Sequence, residues 1–408
     1  MTTRALSNVH ERIHLEYLDG IRALAALYVT AFHTYGRVMF TKNDAPAPDW
    51  FVTLTYWLGY GHYAVAIFIV LSGYCLTLPI MRSSELVLRG GVWGFLKRRS
   101  RRILPPYFVA LICSIALVYI GAHIAPSQSS KLMDHLSLGS ILSHVFVVHN
   151  LFPDWAKTID PPMWSVGTEW DIYFVFALLL LPIMRRAGVL VALVAAFSIG
   201  LAPLYLLPTG YNLEWACPWY VGLFGLGMLG AYCNFATTGA VALWRAPRFW
   251  LICIGVSGAI FLWMLFSYPR VDLAGMIEYS SNWVPDVIIG VIAISFICYC
   301  TCAIGRRELD ASARTPWVLG FLEAKPLVFI GTWSYSLYLI HQPLIEGIYQ
   351  VTRALQMTRI NAFLLFFIVV LPVVCACAYV FHLVAERPFM NAPAPRVGVK
   401  KPETLQEL

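Results

Sequence analysis

The sequence predicts an all-α, polytopic membrane protein: a bundle of ten transmembrane helices with both ends of the chain on the cytoplasmic side. Three observations carry that prediction. The chain is 59% hydrophobic and only 12% charged, where a soluble domain carries about 25% charge, and its mean hydropathy is +0.69. Apolar runs long enough to span a bilayer recur at 17–40, 51–80, 103–124, 164–184, 188–207, 217–235, 249–267, 283–304, 326–350 and 360–385. With the N-terminus inside, most of the 29 Lys and Arg residues fall in inner connections, and an even number of spans returns the C-terminus to the same side. The net charge of +7 therefore reads as membrane orientation and contact with lipid rather than nucleic-acid binding. Residues 1–390 form one transmembrane domain on this reading, and the Pro- and Lys-rich 391–408 a disordered cytoplasmic tail.

The first run holds charges and lacks a small-residue cleavage site, so it is expected to stay as an anchor. It carries Asp19, Arg22 and His33. Eleven residues at 100° each bring His33 back to within about 20° of Arg22 while rising roughly 16 Å, so both side chains share one face. An ionisable group inside a span costs on the order of 2.5–3.5 kcal/mol and so faces protein or a polar cavity. Between the second and third runs, 90–102 reads as an amphipathic segment on the inner surface, with Arg98, Arg99 and Arg102 available to anionic headgroups or, bidentately, to phosphate.

The fourth run opens with Ser165, Glu169 and Tyr173 at i, i+4, i+8, which make one polar stripe. Glu169 and His33 fall at similar depth, roughly 10 Å from the outer boundary. A carboxylate there is expected to orient the imidazole of His33. The connection 125–163, with His135, His144, His149 and a short helix within 141–151, is the candidate acceptor surface. The ninth run places Ser334, Tyr338 and His341 on one face, a pattern that fits interhelical hydrogen bonding as well as chemistry. The ten cysteines read as small buried hydrophobes, and residues two apart such as Cys298, Cys300 and Cys302 point about 200° away from each other, so no metal site is expected.

Together these stretches resemble the acyltransferase-3 family of integral-membrane O-acyltransferases over nearly the whole chain. The resemblance rests on Leu18-Asp-Gly-Ile-Arg22 with His33 eleven residues beyond Arg22, Phe68-Ile-Val-Leu-Ser-Gly-Tyr74, Arg98-Arg-Ser-Arg-Arg-Ile-Leu-Pro-Pro-Tyr107, Trp164-Ser-Val-Gly-Thr-Glu169, Tyr335-Ser-Leu-Tyr-Leu-Ile-His341 and Glu386-Arg-Pro388. It implies transfer of an acyl group, usually acetyl, from cytoplasmic acyl-CoA (acetyl-CoA) to a hydroxyl of an exported or cell-surface saccharide, across a bacterial inner membrane. It also implies that His33 is the catalytic base and that Arg22, Arg99 and Arg102 are essential or bind the donor. Arg101 stands where a hydrophobic residue is common in the family. The appended hydrolase-like domain of some members is missing from the pattern, so transfer is expected to finish within the membrane unit or on a partner.

The candidate sites are thus His33 and Glu169 for catalysis, and Arg22, Arg98, Arg99 and Arg102 for the donor. Asp19, Ser72, Ser165, Tyr173, Tyr335, His341 and His149 are the candidates for the substrates, with Ser165 or Tyr335 as oxyanion donor. The competing readings are acylation of a small-molecule glycoside such as a macrolide sugar, and a lipid-linked-sugar transporter with His33 and Glu169 as a proton relay.

Overall fold

The computed structural model describes residues 15–40, 46–82, 86–124, 136–236, 242–267, 283–310, 312 and 314–390. The expected tail 391–408 and His135 lie outside the described residues. Among those described, every regular element is helical. The long ones are α1 (Glu16–Met39), α2 (Asp49–Met81, with a 3₁₀ turn at Tyr56–Tyr60), α3 (Gly91–Ile124), α4 (Leu138–Val145), α5 (Met163–Ala187) and α6 (Val189–Leu206). They continue with α7 (Tyr220–Phe235), α8 (Pro247–Ser267), α9 (Trp283–Leu309), α10 (Lys325–Thr332), α11 (Ser334–Thr352) and α12 (Arg359–Phe389).

Among the described residues, eight helices are long and apolar enough to cross a membrane: α2, α3, α5, α6, α7, α8, α9 and α12. Two of the ten expected spans do not meet that standard. Helix α1 has 24 residues but carries Glu16, Asp19, Arg22 and Arg37. The expected span 326–350 is interrupted at Trp333, which separates α10 from α11. The break has a local cause, because the Gly331 backbone lies against that of α1. A Cβ on Gly331 would collide with the Asp19 carbonyl oxygen, and one on Gly20 would collide with that of Leu322. Beyond the break, Ser334 Oγ donates to the Gly331 carbonyl at 2.9 Å. The basic segment 90–102 is likewise not a separate surface helix. It forms the first turns of α3, a single 34-residue helix that runs through Pro105 and Pro106; the two missing amide donors free carbonyls one turn earlier, among the arginines.

Helices α2 and α7 are mostly buried, whereas α8 exposes Ile252, Trp263 and Phe266 and α6 exposes Leu206. Such apolar outer faces suit a lipid solvent and would be costly in water. Helices α1 and α11, which carry the two histidines, pack against each other.

Within the described part of the connection before α5, residues 136–162, His149 belongs to a buried cluster, which corrects the expectation of it on an open surface. His144 and His149 are both fully buried and their rings stack 4.0 Å apart. Tyr107 OH donates to the His144 carbonyl at 3.0 Å, and Asn150 Nδ2 donates to Asp171 Oδ2 at 2.8 Å. Asp160 is buried with Ser114 Oγ 3.3 Å from its Oδ2. Asp160 Oδ1 and His144 Nε2 have no hydrogen-bond partner among the described residues. Burial pushes the Asp160 carboxyl up to about 8. Burial, and after it the neighbouring His144, pushes His149 down to about 3.

A side chain at position 331 would push α10 away from α1. Gly331→Val is therefore expected to destabilise by about 2 kcal/mol or more, read as a drop in thermal midpoint in detergent. In the buried cluster before α5, folded Asp160 holds a proton that the unfolded chain releases near pH 4, so its contribution is intact below pH 4 and is lost as pH rises through 8. Asp160→Asn is expected to match the parent at pH 4 and to exceed it by on the order of 2 kcal/mol at pH 9, measured as paired thermal midpoints. The imidazoles act in the opposite sense, below about pH 6.5, and cancel in that comparison.

Candidate active site

Helix α1 places Arg22 and His33 on one face, three turns apart, as their spacing requires. His33 is half-buried and His341, on α11, is fully buried. His341 Nε2 lies 3.0 Å from His33 Nδ1, with the ring centroids 4.9 Å apart. His341 Nδ1 lies 2.7 Å from the Tyr338 carbonyl oxygen and 3.1 Å from that of Leu337. A carbonyl only accepts, so His341 Nδ1 carries the proton and its Nε2 is the acceptor. His33 Nδ1 must then be the donor, shared with the Val29 carbonyl at 3.1 Å. The remaining lone pair of the two rings is on His33 Nε2.

That geometry corrects the expectation that Glu169 orients His33. Glu169 Oε1 instead accepts from Ser72 Oγ at 2.7 Å and Tyr173 OH at 2.5 Å. All three line a cavity of about 250 Å³. Arg22, Arg99 and Arg102 line it too, as do Ser165, Tyr335 and Tyr338. The register of α11 orders these groups. Tyr335 OH donates to the Ile103 carbonyl at 3.2 Å, beside Arg102, while Tyr338, one turn on, meets Ser165 Oγ at 2.6 Å and the Pro162 carbonyl at 3.1 Å. The ring of Tyr338 is 5.7 Å from that of His341. The cavity therefore runs from an arginine end to a hydroxyl end whose Tyr338 separates it from His341; neither His33 nor His341 is among its lining residues.

The arginines differ. Arg22 is paired with Asp19 and donates to Cys75 Sγ at 3.0 Å, so Asp19 serves Arg22 rather than the cavity. Arg98 donates to the Arg89 carbonyl at 2.7 Å and does not line the cavity, which corrects its place in the donor set. Arg99 has a buried Nε without a hydrogen-bond partner, its guanidinium 6.0 Å from the Phe95 ring centroid. Arg102 is exposed at the same end. Among the described residues neither of these two forms a salt bridge, and an unpaired guanidinium facing a cavity is a site for an anion. His149 belongs to the buried cluster before α5 and does not line the cavity.

The sequence pattern points to Glu169 as the partner of His33 and sets His341 among the substrate candidates, whereas the structure makes His341 that partner. Its signal is visible only once the two helices are known to run side by side. Among the described residues, no three His, Cys, Asp or Glu side chains converge as a metal site. The arrangement offers a neutral imidazole with one bare nitrogen, backed by a second imidazole that can share the positive charge when the first takes a proton.

A family model described as an acyltransferase domain matches residues 15–383. The chain is 23% identical over 355 residues to the O-acetyltransferase OatA of Staphylococcus aureus strain NCTC 8325 / PS 47, covering 84% of this chain and 52% of the relative. The same identity and coverage hold for OatA of strain COL. The chain thus spans about half the length of the curated relatives it matches. No solved structure matches it. With the match extending over nearly all of the helical bundle described above, the chain belongs to the acyltransferase-3 family.

Proposed function

We propose that this protein transfers an acetyl group from acetyl-CoA, bound from the cytoplasmic side, to a hydroxyl of a saccharide presented on the opposite face of a bacterial inner membrane. The carrying observation is the cavity that joins unpaired Arg99 and exposed Arg102 to the Ser165–Tyr338 end, where the Tyr338 ring lies 5.7 Å from that of His341. The names of the relatives, both O-acetyltransferases, support acetyl and oxygen as the group moved and the atom that receives it. On this reading the chain crosses ten times, with α1 and the broken α10–α11 shielded by the eight apolar helices, and both termini inside.

Arg99 and Arg102 then hold the nucleotide phosphates. The pantetheine arm passes Ser72, Glu169 and Tyr173, whose carboxylate and hydroxyls suit its two amides. The thioester carbonyl stops near Ser165 and Tyr338. His33 Nε2 takes the proton of the attacking hydroxyl as its oxygen bonds to the carbonyl carbon. His341 Nε2 accepts the Nδ1 hydrogen bond and stabilises the imidazolium that forms. The negative charge on the carbonyl oxygen is met by a hydroxyl of Ser165 or Tyr338, which turns from the Pro162 carbonyl to do so. The C–S bond then breaks, and the imidazolium returns its proton to the departing thiolate, giving an ester and free CoA.

The experiment is release of CoA from radiolabelled acetyl-CoA by purified protein. His33→Gln is expected to lower the rate by about 10²–10⁴-fold, the usual contribution of a general base, and His341→Leu by a smaller factor. Unchanged rates would remove His33 from the chemistry, and a protein that moves label across a bilayer without freeing CoA is a transporter. Arg99→Gln combined with Arg102→Gln is expected to raise KM for acetyl-CoA at least about tenfold, each charge-assisted contact contributing on the order of 1–2 kcal/mol. The same pair should leave KM for acetyl-pantetheine, which lacks the nucleotide, unaltered.

A further inference from the structure

The contacts between α1 and the α10–α11 segment advance in the same direction along both helices: Asp19 against Gly331, His33 against His341, then Arg37 against Glu346. The last lies one turn beyond the histidines, about 6 Å further along α1. Arg37 Nη2 donates to Glu346 Oε1 at 2.5 Å. The guanidinium lies 4.3 Å from the centroid of the Tyr349 ring, and Gln350 Nε2 donates to the same Glu346 oxygen at 2.6 Å. Gln350 Oε1 in turn accepts from Arg353 at 3.3 Å. An ion pair between two freely moving side chains contributes little. Here the cation is seated on a ring and the carboxylate is held by an amide, so both are ordered before they meet.

We propose that Arg37 and Glu346 are positioning residues that lock α1 against α11 so that His33 Nδ1 faces His341 Nε2. The functional need is geometric. A rotation of α11 by about 20° would carry a side-chain tip some 5 Å from the helix axis through roughly 2 Å, enough to break a 3.0 Å contact. Once that contact is lost, the Nδ1 proton of His33 is left to the Val29 carbonyl alone, and an imidazolium formed at His33 no longer has the second ring to share its charge. Neither Arg37 nor Glu346 lines the cavity, so their effect is on the base and not on donor binding. The role in catalysis rests on the reading of His33 as the base; the effect on its proton does not.

The test uses the full chain, labelled with ¹⁵N-histidine, in lipid nanodiscs. The His33 signals are identified by their loss in His33→Gln. In the parent they should show a protonated Nδ1 and a bare Nε2. In Glu346→Gln, which keeps the size of the side chain, the Nδ1 signal should move as its hydrogen bond to His341 is lost, with the tautomer still held by the Val29 carbonyl. With acetyl-CoA and water as the probe substrates, kcat for CoA release should fall about tenfold with KM for acetyl-CoA unchanged. Arg37→Gln should do the same, the double variant should be no slower than the slower single one because the two act as a unit, and Arg37→Lys should retain part of the rate. An unaltered His33 Nδ1 signal in Glu346→Gln, or a raised KM with kcat intact, overturns the proposal. If the parent releases no CoA with water as acceptor, the nitrogen signals decide the clasp by themselves.

Discussion

One helix, α11, sets the geometry of everything else, because its polar side chains each reach a different neighbour. Ser336 Oγ donates to buried Glu386 of α12 at 2.5 Å, Tyr335 reaches α3, Tyr338 meets the entrance of α5, and His341 meets α1. Inside a bilayer such groups have no water to fall back on, so each bond that fails leaves an unsatisfied polar atom. The constraint is mutual. The contact between the imidazoles exists because α11 is pinned on its other sides, and α11 stays in register because every one of those pins is made.

The same logic explains why α1 and α11, whose polar side chains meet each other, occupy positions where other helices cover them. Charged and hydroxylic side chains along α1 and α11 would be expensive against lipid. The eight apolar helices provide the lipid-facing surface, with α6 and α8 exposing large apolar side chains. That division leaves a polar seam in which Arg99 remains without a salt-bridge partner among the described residues. A cation kept there against its desolvation cost fits the proposed role, in which the anion that pairs with it comes from outside the chain.

Much of the fold was legible in the sequence because hydropathy reports burial in lipid directly: the helical class and eight of the spans follow from it. The Arg22–His33 face followed from helical arithmetic and reappears unchanged. What pattern alone did not give were relations between helices. Glu169 and His33 lie at comparable depth, yet depth is one coordinate of three, and the carboxylate faces Ser72 and Tyr173 instead. The break at Trp333 was hidden because its cause is the backbone of α1 pressed on Gly331, a contact between opposite ends of the sequence. Arg98 looked equivalent to Arg99 in an unbroken basic run, but neighbours on a helix point about 100° apart, and only Arg99 and Arg102 turn to the cavity. His149 reads as a polar loop residue until the stacking with His144 buries it.

For the proposed chemistry to run, one passage must bring a CoA thioester from the arginine end to the bare nitrogen of His33. A cryo-electron-microscopy structure of the full chain with a non-cleavable thioether analogue of acetyl-CoA tests this most directly. Phosphates are expected against Arg99 and Arg102, the pantetheine arm beside Glu169, and the acetyl carbonyl next to Ser165 and Tyr338, within reach of a hydroxyl held by His33 Nε2. An analogue bound elsewhere, or bound with its acetyl end walled off from His33, would contradict it.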